Sequence, residues 1–342
     1  CEMFLGYSRG RALGTAPAGL AAHVSYTPIT LDSTDPGYQR CQRELVNPTG
    51  VTIVGCQIRQ GRRFPNDLLG SYVQPVFDVV IVDESSQVPV SQALSALCGL
   101  KNNARLIIAG DHLQMPPIAS IEPPAEAAYL VGSIQTYLKE RQFATPVAQC
   151  VLETNYRSNE DIVAFARSIG YPASLNSGYP DTSLHLRNTF PNKTHYPAWL
   201  PWCDAFDDLL LPDRRVVTLL HEDEVSSQGN LFEARMVAGI VWMLRNSVSV
   251  NLDGRGPVTH APPPPADFWD KCIGVVTPHR AQRALVILEL ERLFPGEKDY
   301  IDAAVDTVER FQGGQRHTIV VTFGVADTDV IGGEEALLMQ LE

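Results

Sequence analysis

The sequence has few cysteines for its length, and their spacing excludes two kinds of site. Among 342 residues there are seven cysteines: Cys1, Cys41, Cys56, Cys98, Cys150, Cys203 and Cys272. Their number is odd and no two follow a CxxC spacing, so neither a disulfide framework nor a zinc site fits. Scattered cysteines of this kind are typical of reduced thiols. We therefore expect a cytoplasmic protein, or a nuclear one in a eukaryotic cell.

Long apolar runs are missing as well. No run reaches the roughly 18 residues that a membrane-spanning helix requires, and no basic segment followed by an apolar one opens the chain. We expect no membrane partner.

Positive charge is scarce and unevenly placed. The chain has 27 Lys and Arg against 39 Asp and Glu, a net charge of −12. Residues 1–150 are nearly balanced, with 11 against 12, whereas residues 151–342 hold 16 against 27. Nucleic-acid binding normally uses a basic face. A chain this acidic could bind nucleic acid only through a local basic groove.

A phosphate-binding loop of the form GxxxxGK[ST] is absent from these 342 residues. The segment LGTAPAGLAAH (13–23) contains glycines but no lysine. It therefore cannot cradle the phosphates of a nucleotide as that loop does.

What the sequence does contain is an alternation of short apolar runs and amphipathic segments. The runs are rich in Val and Ile: VTIVGC (51–56), VVIVD (79–83), RLIIAGD (105–111), RVVTLL (215–220), IGVVTP (273–278) and HTIVVTF (317–323). Their continuous apolar character predicts strands of a parallel sheet covered on both faces. Apolar residues three and four apart predict helices over 90–100, 159–170, 231–246 and 280–294. The alternation indicates an α/β fold.

The strand in FDVVIVDESSQVPVSQAL (77–94) ends in two adjacent carboxylates, Asp83 and Glu84. In parallel sheets, ligands bind at the carboxyl ends of the strands. One acid there can hold a magnesium ion through its waters, and the next can accept a proton from a water that attacks a phosphate. Alternatively, Asp83 only caps the following helix. The pair alone leaves both interpretations open.

The following blocks carry a family resemblance. VVIVDESSQ followed by LIIAGDHLQMPPI (106–118) resembles the superfamily 1 helicases, in the branch of the nonsense-mediated-decay RNA helicase and the Dna2-type DNA helicases. Further blocks follow in the order of that family: LETNYRSNEDIVAF (152–165), NLFEARMVAGIV (230–241), IGVVTPHRAQ (273–282) and VDTVERFQGGQRHTIVVTF (305–323). The resemblance therefore covers most of the chain, from about residue 51 to residue 323.

The resemblance implies two RecA-like domains with mostly parallel sheets, of which the first is incomplete. We expect residues 47–148 to be the C-terminal part of the first domain and residues 149–342 to be the second. Residues 1–46 are expected to be an irregular arm or the remnant of an inserted subdomain. Residues 171–213 and 247–268, the latter with APPPPA, are expected to be loop inserts and candidate surfaces for protein partners.

The resemblance also implies a site for ATP and Mg²⁺. Asp83 would hold the metal, Glu84 would activate the hydrolytic water, and Gln114 would sense the terminal phosphate. Arg157 would act as an arginine finger, although a surface ion pair is the alternative for this residue. The remaining nucleotide contacts implied are Gln312, Gly313 and Gln315.

A single strand of DNA or RNA is the partner that the resemblance implies. Its backbone would contact Thr52, Gly55, Thr277, Pro278 and Arg280, with Thr307 as a further candidate. Such contacts position the strand without reading its sequence. For Thr52 and Thr277 the alternative is a β-branched residue that simply favours a strand.

The sequence departs from the family pattern in three places. The phosphate-binding loop is missing, the last arginine-bearing block is not found by residue 342, and Gln315 and His317 stand where the family has Glu and Asp. We expect a helicase or translocase core that hydrolyses ATP, with this fragment alone inactive. The alternative is a non-catalytic module that binds nucleic acid or protein, because Gln315 lacks the charge that the family uses for coupling.

Overall fold

The chain divides into two compact units, Cys1–Gln149 and Cys150–Glu342. The computed structural model describes residues 1–7, 22, 24–32, 34–64, 75–117, 126, 131–141, 143, 146–187, 193–209, 211, 213–222, 225–249 and 261–326. The division falls one residue from the boundary expected between residues 148 and 149. Both units combine helices with parallel strands, so the predicted α/β class is confirmed.

Two parallel sheets organise the first unit. Its strands are β1 Glu2–Tyr7, β2 Ser25–Thr30, β3 Thr52–Gly55, β4 Phe77–Val82 and β5 Leu100–Ile108. Its helices are α1 Pro36–Val46, α2 Val90–Leu97 and α3 Ile134–Glu140. The strand orders are β2-β1-β3 and β4-β5, and every pairing in them is parallel.

The expectation of an irregular arm over residues 1–46 is wrong for the part of that segment which the structure describes. β1 is the central strand of its sheet, and α1 packs beside it. Phe4 and Ile29 are fully buried with Tyr38 of α1. Asp35 begins α1, since its Oδ1 accepts a hydrogen bond from the Tyr38 amide at 3.0 Å.

The second unit is built around the parallel sheet β10-β8-β9. Its strands are β6 Thr154–Asn155, β7 Asn176–Ser177, β8 Ile273–Thr277, β9 Val305–Thr307 and β10 Thr318–Val321. Its helices are α4 Glu160–Ser168, α5 Phe206–Leu209, α6 Leu231–Ser247, α7 Pro265–Asp267, α8 Arg280–Leu293, α9 Lys298–Ala304 and α10 Val308–Phe311, with a π-helical turn at Phe268–Cys272.

All five residues of β8 are buried, as expected of a central strand covered on both faces. α6 and α8 contribute Val241, Met243 and Leu290 to the same core. Among the described residues, no helix combines the length and apolar character that a bilayer crossing demands.

The predicted strand RVVTLL (215–220) is not found. None of its residues joins a sheet in the structure, and the Leu220 side chain is 91% exposed. Arg215 pairs instead with Asp161 at 3.2 Å, and Arg214 pairs with Asp208 at 2.9 Å. Apolar composition alone does not make a strand when its backbone has no partner to pair with.

The first expected insert is more than a surface loop. Leu200 and Phe206 are buried in the core of the second unit, and Trp202 packs edge-to-face on Phe206 with ring centroids 5.5 Å apart. The aromatic residues that disturbed the periodicity of 171–213 therefore contribute to the core.

The second insert also contributes to the core in its described part. Pro265 of APPPPA occupies the first turn of α7, where proline needs no amide partner, and Phe268 is fully buried. Residues 250–260 of this insert, and residues 13–21 of the glycine-containing segment, lie outside the described residues.

Candidate functional site

Asp83 and Glu84 directly follow β4, at the carboxyl end of the strand, and both are exposed. The Asp83 Oδ1 accepts a hydrogen bond from the Glu84 amide at 3.0 Å. Glu84 has φ 50° and ψ 41°, and no other described non-glycine residue has a positive φ. This left-handed conformation costs roughly 1–2 kcal/mol in a residue with a side chain. The capping alternative for Asp83 does not fit, because Pro89 is the residue that precedes α2.

The end of β5 lies against the turn that follows β4. The Ala109 amide donates to the Val82 carbonyl at 2.9 Å, and the Ser85 amide donates to the Ala109 carbonyl at 3.0 Å. A Cβ on Gly110 would lie 2.5 Å from Ser85 Oγ and 2.7 Å from Gln135 Oε1. Glycine is therefore needed where the two strand ends meet.

Gln114 follows β5 in a turn organised by Asp111. The Gln114 amide donates to the Asp111 carbonyl at 3.2 Å, and its side-chain Nε2 donates to Asp111 Oδ2, also at 3.2 Å. The Leu113 amide donates to Asp111 Oδ1 at 3.0 Å. Because β4 and β5 are parallel neighbours, Asp83, Glu84 and Gln114 follow strand ends on one edge of the sheet.

The donor set at this edge fits a magnesium ion that keeps most of its water. No cluster of three or more His, Cys, Asp or Glu suited to a metal occurs among the described residues. Magnesium in nucleotide sites uses one or two carboxylates together with phosphate oxygens and water. The exposed Asp83 carboxylate meets that requirement.

The second unit brings Arg157 and Gln315 together, although they lie far apart in the sequence. Both line a cavity of about 440 Å³, together with Asn155 and Tyr156. Asn155 Oδ1 accepts from the amides of Arg157 at 2.8 Å and Ser158 at 2.9 Å, which fixes the backbone at Arg157. In the described part of the chain Arg157 forms no ion pair, and its role as an arginine finger stays a prediction.

Two consecutive glycines shape the turn that leads from α10 to Gln315. Gly313 has φ 78°, and a Cβ on Gly314 would lie 2.7 Å from the Phe311 carbonyl oxygen. Gln312 immediately follows α10. The turn places the exposed Gln315 side chain at the cavity that Arg157 also lines.

Sequence reasoning missed Tyr156. The residue is 68% exposed, its ring packs edge-to-face on Tyr179 with centroids 5.9 Å apart, and it lines the Arg157 cavity. Its position beside Arg157 in LETNYRSNE was the available signal, since neighbours in a loop can face one cavity.

A second cavity of the same unit, of about 280 Å³, is lined by three arginines. These are Arg280 and Arg283 of α8 and Arg310 of α10, with Thr307 and Asp306 completing the lining. We call this set the arginine groove. It is a local basic feature in an otherwise acidic chain. Arg280 and Thr307 were predicted from sequence, whereas Arg283 and Arg310 were not.

Asp306 is surrounded by donors within the arginine groove. Its Oδ1 accepts from the Thr307 amide at 2.9 Å and lies 3.3 Å from Arg283 Nε and 3.8 Å from Arg310 Nη1. Arg280 is exposed and forms no ion pair within the described ranges. The groove is therefore net positive, with one carboxylate set among three guanidinium groups.

The threonines predicted to contact nucleic acid are less accessible. Thr277 is fully buried and its Oγ1 accepts from the His279 amide at 3.4 Å, with Pro278 half-buried between them. Thr52 Oγ1 is also buried, and Thr52 begins the strand that Gly55 ends. Neither hydroxyl reaches the surface. Both positions agree with the alternative that these threonines are β-branched residues that favour a strand.

Comparison with protein families identifies the chain. A family model described as an AAA domain, AAA_12, matches residues 133–330, and a second AAA domain model, AAA_11, matches residues 65–120. The chain belongs to the AAA_12 family. The predicted resemblance to the Dna2 and nonsense-mediated-decay branch of superfamily 1 helicases is confirmed, and the parallel sheets agree with RecA-like domains.

This AAA_12 chain is similar to several longer proteins. It is 28% identical to the DNA replication ATP-dependent helicase/nuclease DNA2 of Saccharomyces cerevisiae, over 81% of the chain and 17% of that protein. It is 29% identical to the DNA-binding protein SMUBP-2 of Mesocricetus auratus, over 72% of the chain and 21% of the relative. It is 26% identical to the ATP-dependent helicase NAM7 of Saccharomyces cerevisiae, over 83% of the chain and 25% of the relative. The chain thus spans a quarter or less of the length of each.

Proposed function

We propose that this chain is the motor core of an ATP-dependent helicase or translocase that moves on single-stranded DNA or RNA. The observation that carries the proposal is the cavity shared by Arg157 and Gln315, two residues from separate sequence blocks to which the family resemblance assigns nucleotide contacts. The carboxylate pair after β4 and the arginine groove support it independently.

The first unit supplies the groups that act on the attacking water and the metal. Asp83 would hold a magnesium ion, and that ion would supply positive charge to the phosphates of ATP. Glu84 accepts the proton of the water that attacks the terminal phosphate, a role open to a carboxylate exposed at a strand end. Gln114, held by Asp111, contacts that phosphate.

The second unit supplies positive charge and a stacking surface. The Arg157 guanidinium stabilises charge that develops on the transferred phosphoryl group, an effect of about a thousandfold or more in rate. The exposed ring of Tyr156 offers a flat apolar face to the nucleobase. Gln315 donates or accepts a hydrogen bond, but it cannot provide the charge of the glutamate that it replaces.

The arginine groove binds the phosphates of a single strand. Arg280 and Arg310 present guanidinium groups there, and each phosphate that they neutralise releases counterions, so binding weakens as salt rises. Contacts to phosphate and sugar carry no sequence information. We therefore propose binding without strong sequence preference.

A binding module without catalysis is the second candidate. Gln315 and the absence of a GxxxxGK[ST] loop from these 342 residues favour it. The exposed carboxylates, Gln114 and Arg157 oppose it, because a protein that only binds nucleic acid has no use for them. For the isolated 342 residues we expect little or no ATP hydrolysis, since their sequence lacks the GxxxxGK[ST] loop that cradles the phosphates.

The deciding experiment measures magnesium-dependent ATP hydrolysis by the protein that contains this chain, with and without oligodeoxythymidylate or oligouridylate. We expect hydrolysis that either oligonucleotide stimulates. Binding of an oligonucleotide without hydrolysis would establish the binding module instead. Failure to bind and failure to hydrolyse would together refute the proposed function.

A further inference from the structure

Three segments of the second unit meet in a buried network of side-chain hydrogen bonds. Thr322, immediately after β10, donates from Oγ1 to Glu233 Oε2 of α6 at 2.5 Å and accepts from Gln282 Nε2 of α8 at 2.9 Å. Gln282 Oε1 accepts from the Asn230 amide, just before α6, at 2.7 Å. The Thr322 hydroxyl thus joins the start of α6 to the start of α8.

Most side chains of this network are buried away from water. Gln282 is fully buried, and Thr322 and Asn230 are buried as well. The Asn230 side chain accepts from the Glu233 amide at 3.0 Å, and Glu233 Oε1 lies 3.2 Å from His221 Nε2. Buried polar groups in such a network specify one arrangement, because leaving any of them unpaired is costly.

Gly324 shows how closely the end of β10 fits this arrangement. Its amide donates to Glu233 Oε2 at 3.1 Å, and its φ is 69°. A Cβ at this position would lie 2.8 Å from Gln282 Cγ. The backbone after Thr322 is therefore held against the Gln282 side chain.

The first turn of α8 carries one member of this network. Gln282 is the third residue of the helix, and its side-chain amide is bonded at both ends to other segments. Its neighbours Arg280 and Arg283 line the arginine groove. The bonds of Gln282 therefore fix the turn from which both arginines project.

We propose that Thr322 is a positioning residue for nucleic-acid binding: by linking Glu233 to Gln282 it fixes the first turn of α8 and so aims Arg280 into the arginine groove. This inference rests on the proposed function, because it requires that the groove binds a single strand. It also gives Glu233, in the NLFEARMVAGIV block, a role at a groove that it does not line.

The test compares Thr322→Val, which keeps the side-chain shape and removes the hydroxyl, with Thr322→Ser, which keeps the hydroxyl. Affinity for fluorescein-labelled oligodeoxythymidylate and oligouridylate is measured between about 50 and 200 mM salt. For Thr322→Val we expect affinity about three- to tenfold lower and a salt slope smaller by roughly 0.7 for each phosphate that Arg280 no longer neutralises. Thr322→Ser should retain the affinity and slope of the wild type.

If Thr322 had a purely structural role, Thr322→Val would lower the thermal midpoint of unfolding without changing the salt slope of binding. That result would overturn the inference. In an Arg280→Ala background, Thr322→Val should lose most of its effect, because its main target is already gone. If Thr322→Val fails to fold, Gln282→Met takes its place, since it keeps the length of the side chain and removes both hydrogen bonds of the Gln282 amide.

Failure of this inference and failure of the proposed function give different results. If Arg280→Ala weakens binding while Thr322→Val binds like the wild type, the inference is wrong and the proposed function stands. If Arg280→Ala itself leaves binding and salt slope unchanged, the assignment of the groove in the proposed function is wrong.

Discussion

Arg283 Nε lies 3.3 Å from Asp306 Oδ1 inside a groove that also contains Arg280 and Arg310. Arg283 does not depend on this contact for its position. It also donates to the backbone carbonyls of Val305 at 2.9 Å and Asp302 at 3.1 Å. The Asp306 carboxylate therefore reduces the positive charge of the groove without being needed to hold Arg283.

Replacing Asp306 by Asn should strengthen nucleic-acid binding. The amide oxygen can still accept from the Thr307 amide, while one negative charge leaves a groove that we propose receives a polyanion. We expect an affinity about twofold higher at low salt, with the difference fading as the salt concentration rises. Fluorescence anisotropy with a labelled single strand checks this, with Asp267→Asn, outside the groove, as the control. Weaker binding by Asp306→Asn would show that the carboxylate is needed to orient the arginines.

Replacing Arg157 by Ala should abolish most of the ATP hydrolysis of the complete protein. The backbone there is fixed by Asn155, so the substitution removes the guanidinium and leaves the turn in place. We expect a fall in kcat of about a thousandfold, with single-strand affinity unchanged. Arg214→Ala, which removes an exposed pair with Asp208, is the matched control and should retain activity. Full activity in Arg157→Ala would remove this residue from nucleotide chemistry.

Glu84→Gln should separate binding from turnover. The amide has nearly the shape of the carboxylate, and the left-handed backbone is unchanged, but it cannot accept a proton from the attacking water. We expect hydrolysis to fall by about a hundredfold or more, while the Kd for ATP, measured by calorimetry, stays near that of the wild type. Glu140→Gln, at another exposed acid of the same unit, controls for loss of charge. Undiminished hydrolysis in Glu84→Gln would exclude Glu84 as the base.

Much of the fold could be predicted because its signals are local. The helices α6 and α8 have apolar residues at helical spacing, and they begin within a residue of the predicted positions. β8 was predicted from a continuous apolar run, and the whole strand is buried. Asp83 and Glu84 were placed at a strand end because a run of Val and Ile stops there.

What the sequence could not predict depends on contacts between distant segments. β1 and β2 lack a Val- and Ile-rich run, and their pairing with each other and with β3 makes them strands. RVVTLL has such a run but joins no sheet in the structure. Arg310 enters the groove only because α10 follows β9, the neighbour of β8. The burial of Thr277 likewise follows from packing, which periodicity does not show.

Gly110→Ala tests the close approach of the two strand ends in the first unit. A Cβ there would overlap Ser85 Oγ and Gln135 Oε1, and it would also lie 2.9 Å from the Ser85 amide nitrogen, which is backbone and cannot rotate away. We expect the free energy of unfolding to fall by about 1–3 kcal/mol. Gly132→Ala is the matched control, since nothing lies within 4 Å of the added methyl group. Urea denaturation measures both, and equal stability of the two variants would contradict the structure at this turn.

The first unit should lose stability in alkali because of the buried thiol of Cys41 and the half-buried thiol of Cys56. Burial raises the pKa of Cys41 to about 12 and that of Cys56 to about 11, against an ordinary value of 9.0. Below pH 9 the thiols are protonated in the folded and the unfolded chain, so ionisation does not lower the stability of the fold. Between pH 9 and about 11 the unfolded thiols ionise while the folded ones do not, which favours unfolding.

At pH 10, one unit above 9, the free energy of unfolding is lower by about 1.4 kcal/mol for each of the two cysteines. Urea denaturation at pH 8 and pH 10 measures the loss. Cys41→Ala leaves a cavity and is less stable at both values, yet it should lose less stability than the wild type between them, because one ionising thiol is gone. The exposed Cys150 provides the control: Cys150→Ala should keep the pH dependence of the wild type. An identical loss in Cys41→Ala and the wild type would show that the Cys41 thiol is not protected by burial.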